Sequence, residues 1–135
     1  MTDQILTLGN FRCFRKRQDA RLAPITVLMG DNSSGKSSFL AAYRAAWHSQ
    51  FGRLLHDFNE PPFSLGAYDQ IAHFHGGIAG RARSFFLGLR WEVSEQFAAR
   101  LGLGDSHGSS LIEFVEHQAQ PRVIRITIDV GQFKA

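Results

Sequence analysis

The chain has 135 residues, 44% of them apolar and 20% charged, with a formal net charge of +3. That fits one globular domain with a core of ordinary size and excludes disorder as the default. Cys13 is the only cysteine, which excludes a disulfide framework and suits a reducing cytoplasm. No apolar run approaches the roughly 20 residues of a membrane-spanning helix, and Met1-Thr2-Asp3-Gln4 lacks a secretory pattern. The basic residues are dispersed, which tolerates nucleic acid as a partner without arguing for it.

Gln4 to Leu8 alternates apolar and polar residues and predicts a first strand. Gly9-Asn10 breaks it, Phe11-Arg12-Cys13-Phe14 follows, and the basic segment Arg15 to Arg21 predicts a solvated turn or an edge strand. Pro24 imposes an extended approach to Ile25-Thr26-Val27-Leu28-Met29, a β-rich run that predicts a buried strand. Next comes Gly30-Asp31-Asn32-Ser33-Ser34-Gly35-Lys36-Ser37, with Ser38 behind it. From Ser37 to Phe51, Phe39, Leu40, Tyr43, Trp47 and Phe51 recur at helical spacing and predict a helix.

The octet from Gly30 matches G-x-x-x-x-G-K-[ST], a phosphate-binding loop, in its required setting between a strand and a helix. Glycines let the main chain wrap an anion, successive N–H groups point inward, and the helix adds the positive end of its dipole. Lys36 is placed to bridge the β- and γ-phosphates, and the Ser37 hydroxyl to hold Mg²⁺.

Further along, Pro61-Pro62 stops any helix, and Phe63, Leu65, Tyr68 and Ile71 are placed to close the core under a loop. Gly76-Gly77-Ile78-Ala79-Gly80 predicts a hinge or hairpin turn. Ser84 to Val93 predicts a strand, and Ser94 to Leu101 a short helix stopped by Gly102. Leu111–Glu116 and Val123–Val130 predict a hairpin joined around Gln120-Pro121, its second strand half-buried, with Arg125, Thr127 and Asp129 on one face.

Asn10-Phe11-Arg12-Cys13-Phe14, about twenty residues ahead of Gly30-Asp31-Asn32-Ser33-Ser34-Gly35-Lys36-Ser37-Ser38, resembles the SMC/RecF/OLD branch of ABC-type ATPases. The resemblance covers roughly the first third of the chain. Ser33 stands where the coiled-coil members usually carry glycine, so the loop is more similar to OLD-type and related AAA-labelled ATPases. The segment Phe63 to Ile71 is similar to the stretch that follows the phosphate-loop helix in those proteins, prokaryotic defence ATPases among them. The resemblance implies an α/β fold: a P-loop NTPase, ABC-ATPase-like N-terminal lobe, with a mixed or antiparallel sheet around the P-loop helix. It implies ATP and Mg²⁺ as ligands and puts Arg12 near the phosphates. Asn32 falls beside them and within reach of a partner subunit. The binding set it implies is Arg12, Asn32, Ser33, Ser34, Gly35, Lys36, Ser37 and Ser38, with Ser37 on the metal.

Two parts of an ATPase are missing from the sequence. A Walker B strand ends in Asp-Glu, and Ile128-Asp129 runs instead into Val130-Gly131 on an alternating strand; there is also no Leu-Ser-x-Gly-Gln signature. Gln132 has nothing specific to mark it as a metal-contacting glutamine. Residues 1–135 are therefore expected to be the N-terminal part of a longer or split ATPase domain. His48, His56, His73, His75, His107 and His117 show no metal-site spacing with Cys or carboxylate, and no Ser-His-Asp or Cys-His set stands out. The expected function is an ATP-binding lobe, hydrolytic in the complete protein, that acts as a nucleotide-gated switch in antiphage defence or DNA repair. It would self-associate through a nucleotide-sandwich interface, with an effector nuclease subunit or DNA as partner. The alternative is a nucleotide-stabilised scaffold without turnover. A kinase or GTPase fits less well, since no Asn/Thr-Lys-x-Asp guanine motif is present.

Overall fold

Leu6 and Leu8 are buried while their neighbours Ile5 and Thr7 are only partly covered, so Gln4–Gly9 (β1) offers one apolar face at the period of a strand. β1 pairs antiparallel with Gln18–Leu22 (β2) on one side and with Ser84–Glu92 (β3) on the other, Leu6 opposite Leu89 and Leu8 opposite Leu87. β3 pairs antiparallel with His107–His117 (β4), and β4 with Gln120–Val130 (β5), giving a sheet of order β2-β1-β3-β4-β5. The computed structural model describes residues 3–50, 57–92, 94–100, 102 and 107–130. Of the sequence expectations, those on Phe51, His56, Val93, Leu101, Gly131 and Gln132 lie outside the described residues.

One face of this sheet is the core. Its register sets Phe85 opposite Phe114 and Leu87 opposite Ile112, extending the Leu6–Leu8 stripe across the central strands. Lys36–Gln50 (α1) lies over that face. It turns inward Ser38, Ala41, Ala42, Ala45 and Ala46 rather than the large residues of the predicted stripe. Alanine leaves little bulk between helix and sheet, so this face can approach closely, while Phe39 and Tyr43 sit half-covered at its flank and Leu40 and Trp47 are exposed.

Residues 57–72 fill the remaining space. Phe58, Leu65, Tyr68 and Ile71 are buried, the last two in the single-turn helix Tyr68–Ile71 (α2), and Phe63 packs from the edge. Phe85 stacks on Phe114 with ring centroids 4.8 Å apart, and Phe11, Phe58 and Tyr68 pack around Phe85 with centroids 5.6–5.8 Å from its ring. Arg44 of α1 pins this segment by an ion pair to Glu60 at 2.8 Å and a bond to Pro61 O. Glu95–Arg100 (α3) forms the expected short helix after β3. No helix among the described residues is long and apolar enough to cross a membrane.

The α/β P-loop NTPase class is contradicted. Every strand pairing among the described residues is antiparallel, and the run ahead of the loop belongs to no strand. Ile25, Val27 and Met29, expected in a buried strand, are 87%, 75% and 89% exposed. β-Rich composition makes a strand only where a neighbouring strand supplies hydrogen-bond partners. Here the chain leaves β2 through Ala23-Pro24, whose proline has no N–H to donate, and runs on beside α1 unpaired.

Two smaller expectations change as well. The β4–β5 turn is Gln118-Ala119, both at positive φ (51° and 63°), and Gln120 and Pro121 are already paired in β5. β5 is not half-buried along its length: Val123 packs against the core, but Ile124, Ile126 and Ile128 are exposed alongside Arg125, Thr127 and Asp129, because β5 is an edge strand that the core layer reaches only near its start.

Tyr68 supplies a test of this packing. Its hydroxyl donates to Ala82 O at 3.0 Å, and burial, then the charges of Glu116 and Glu113, push the phenol up to about 12. Below about pH 10 both folded and unfolded chains keep the proton. Between there and the folded value only the unfolded chain releases it, so stability falls with rising pH, by up to ~1.4 kcal/mol per unit. Denaturant unfolding at about pH 9 and 11 should show this loss in the wild type and a smaller one in Tyr68→Phe.

Candidate functional site

The site begins with a tight turn between β1 and β2. Asn10 and Arg12 adopt left-handed conformations (φ 54° and 51°), and Phe11 and Phe14 exchange main-chain hydrogen bonds at 3.0 and 2.8 Å. Phe11 is fully buried and anchors the turn in the aromatic core. Asn10 O accepts from His73 N–H, Arg12 N–H donates to Ile71 O, and the His73 ring bonds Arg12 O at 2.7 Å. The turn is thereby fixed to the segment that follows α2.

The Gly30–Ser37 loop closes against this turn. Gly35 has φ 97°, and a Cβ placed there would lie 2.6 Å from Cys13 Sγ and 3.3 Å from the Phe14 ring. Glycine at 35 is thus required twice, by conformation and by contact. Arg12 reaches across, its Nε donating to the buried Ser38 Oγ at 3.2 Å and its Nη1 to Gln70 O at 3.0 Å. These bonds use two of the five guanidinium donors.

Within the loop, Ser33 takes a left-handed conformation (φ 67°) and Ser34 N–H closes a turn onto Asp31 O. Phe39 N–H to Gly35 O, 2.8 Å, is the first bond of the α1 ladder. The amides of Lys36, Ser37 and Ser38 therefore precede the ladder and lie at the positive end of the helix dipole. Lys36 Nζ folds back on its own loop, donating to Gly30 O at 2.7 Å, Asp31 O at 2.6 Å and Ser34 Oγ at 3.3 Å. All three ammonium donors are engaged with neutral acceptors. These bonds already have a charged donor; a phosphate oxygen adds an opposite charge on the acceptor side, so an arriving anion can compete for the ammonium group.

A cavity of about 580 Å³ opens beside these groups, within the ~300–1,000 Å³ range of ligand pockets. Arg12, Lys36 and Arg81 give it three cationic side chains, and no carboxylate is among its described lining residues. Of the predicted set, Arg12, Asn32, Ser33, Gly35 and Lys36 line it, together with Ser37 and Ser38. Ser34 does not: its amide and hydroxyl hold the loop together instead. Ser38 is held by Arg12 and acts through it. Ser37 is exposed, and among the described residues no group of three His, Cys, Asp or Glu could hold a metal.

Cys13, Gln70, Phe74 and Arg81 complete the lining, and sequence reasoning did not single out the last three for the site. The available signal was the glycine-rich turn 76–80, which folds Phe74 and Arg81 onto each other as a bridge pair. Compared with protein-family models and with curated proteins, the sequence matches none.

The contact between Gly35 and Cys13 is directly testable. Gly35→Ala and Gly76→Ala both place a Cβ at positive φ (97° and 89°), but at Gly76 the new methyl meets nothing within 4 Å. Gly76→Ala should cost only the backbone strain, about 1–3 kcal/mol. Thermal unfolding of Gly35→Ala should show a further ~1–3 kcal/mol from overpacking. Equal losses in the two variants would mean that the Cys13 contact carries no weight.

Proposed function

We propose that this chain binds the phosphates of a nucleoside triphosphate, ATP by the resemblance of its motifs, in the cavity between the Asn10–Arg15 turn and the Gly30–Ser37 loop. The observation that carries the reading is the convergence of Lys36, Arg12 and the amino-terminal end of α1 on one carboxylate-free cavity. Positive groups so placed favour a polyanion, and no acidic side chain is among the described lining residues. Mg²⁺ would arrive with the phosphates and take Ser37 Oγ as its protein ligand.

The chemistry proposed for these residues is binding. Water activation for hydrolysis requires a base or a positioning group, and the described lining offers no carboxylate for that task. Turnover in a complete protein, through groups contributed by further chain or by a second subunit, stays within the resemblance to the SMC/RecF/OLD branch, as do a gating role in antiphage defence or DNA repair, self-association across the nucleotide, and a nuclease or DNA partner. The same lining favours the scaffold alternative for this chain alone: nucleotide held without release of phosphate.

Calorimetric titration with Mg²⁺-ATP tests the reading. Lys36→Ala should weaken binding by about ten- to a hundredfold, the worth of one or two hydrogen bonds to a charged group. Arg12→Lys should weaken it less, since the charge is kept while the planar fork is lost. Unchanged affinity in Lys36→Ala would remove the proposal.

A further inference from the structure

We propose that the arm formed by residues 73–82 is a base platform: the Phe74 ring, backed by the Arg81 guanidinium, stacks on the nucleobase of the ligand whose phosphates lie at Lys36. The inference rests on the phosphate reading above and adds to it the part of the ligand that distinguishes a nucleotide from a bare polyphosphate.

The arm is built rigidly enough to serve. Phe74 and Arg81 face each other as a bridge pair, His75 N–H donates to Gly80 O at 2.8 Å, and Ala82 N–H to His73 O at 2.8 Å. The short 3-10 turn Gly77–Ala79 closes its tip. At its root, His73 is bonded to the Asn10–Arg15 turn through both its amide and its ring, so the arm and the phosphate loop share one support. Arg81 is held in place by a bond from Nη1 to Ala72 O at 3.3 Å.

Phe74 is the unexplained residue. Its ring is 50% exposed although it lines the same cavity as Lys36 and Ser37, and the Arg81 guanidinium sits 4.7 Å from its centroid. A phenyl ring half in water at the wall of a polar cavity does nothing for phosphate, which is bound by N–H groups and cations. It does suit a flat, polarisable partner, and a cation against it adds to such a stack. Gln70, also in the lining, has its Oε1 committed to Ala67 N–H at 3.1 Å, where it caps α2. The recognition proposed is by stacking. Every base has a π-face, so adenine and guanine nucleotides should bind comparably.

The experiment compares inorganic triphosphate, ATP and GTP, each with Mg²⁺, on wild type, Phe74→Ala, Phe74→Trp and Ile78→Ala by calorimetry. Ile78 is fully exposed at the tip of the arm and serves as control. The wild type should bind ATP more tightly than triphosphate, and Phe74→Ala should lose about five- to a hundredfold for ATP and GTP. The same variant should leave triphosphate unchanged, Phe74→Trp should keep nucleotide binding, and Ile78→Ala should alter nothing. Loss of triphosphate and ATP in equal measure in Phe74→Ala, or no loss of either, overturns the platform while leaving the phosphate site standing. A wild type that binds neither ligand overturns the phosphate reading, and the platform with it.

Discussion

The turn at Asn10–Arg15 holds the rest in relation. It contains two non-glycine residues in left-handed conformation, at a cost of order 1–3 kcal/mol each, and that strain persists because the surroundings fix it. Phe11 is locked among Phe58 and Phe85; the main chain on one side is bonded to Ile71 and His73; Cys13 and Phe14 on the other side press on Gly35. One wedge thus sets the positions of the Gly30–Ser37 loop, the Arg12 side chain and the arm that carries Phe74. Anything that moves the turn moves all three walls of the cavity together.

The loop itself is secured unequally at its two ends. Its C-terminal end continues into α1, whose alanine face lies on the sheet. Its N-terminal end follows residues 25–29, which no described strand pairs, and is drawn in instead by Lys36, whose ammonium bonds the Gly30 and Asp31 carbonyls. The lysine therefore has a structural task before any ligand arrives. On the proposed reading, binding would exchange carbonyl partners for phosphate, and part of the affinity would be offset by loosening the start of the loop.

Much of this was legible locally. Period-two patterning located β1, β3 and the last hairpin; the octet and its helix located the loop; and Asn10-Phe11-Arg12 brought Arg12 to the cavity through a turn whose geometry no periodicity encodes. What failed was long-range. Ile25–Met29 has every local mark of a strand, but strand formation depends on a partner elsewhere, and the inference of an α/β sheet fell with it. In α1 the large residues drew attention, yet burial went to Ala41, Ala42, Ala45 and Ala46, because closeness to the sheet rather than bulk decided the inner face. Phe74 and Arg81 escaped notice since their meaning lies in the spatial pairing across a glycine turn, not in their spacing. Ser33 is the converse case: its left-handed conformation shows why glycine would serve at that position.

The central claim is that main-chain amides at the start of α1, with Lys36 and Arg12, grip a chain of phosphates. Amide-resolved NMR titration with inorganic triphosphate tests it most directly. The account predicts saturable shifts centred on Gly35, Lys36, Ser37 and Ser38, with Ser34, whose amide is committed to Asp31 O, moving less. Shifts confined to the basic surface at Arg15, Lys16 and Arg17, or none at the loop at saturating ligand, would contradict it.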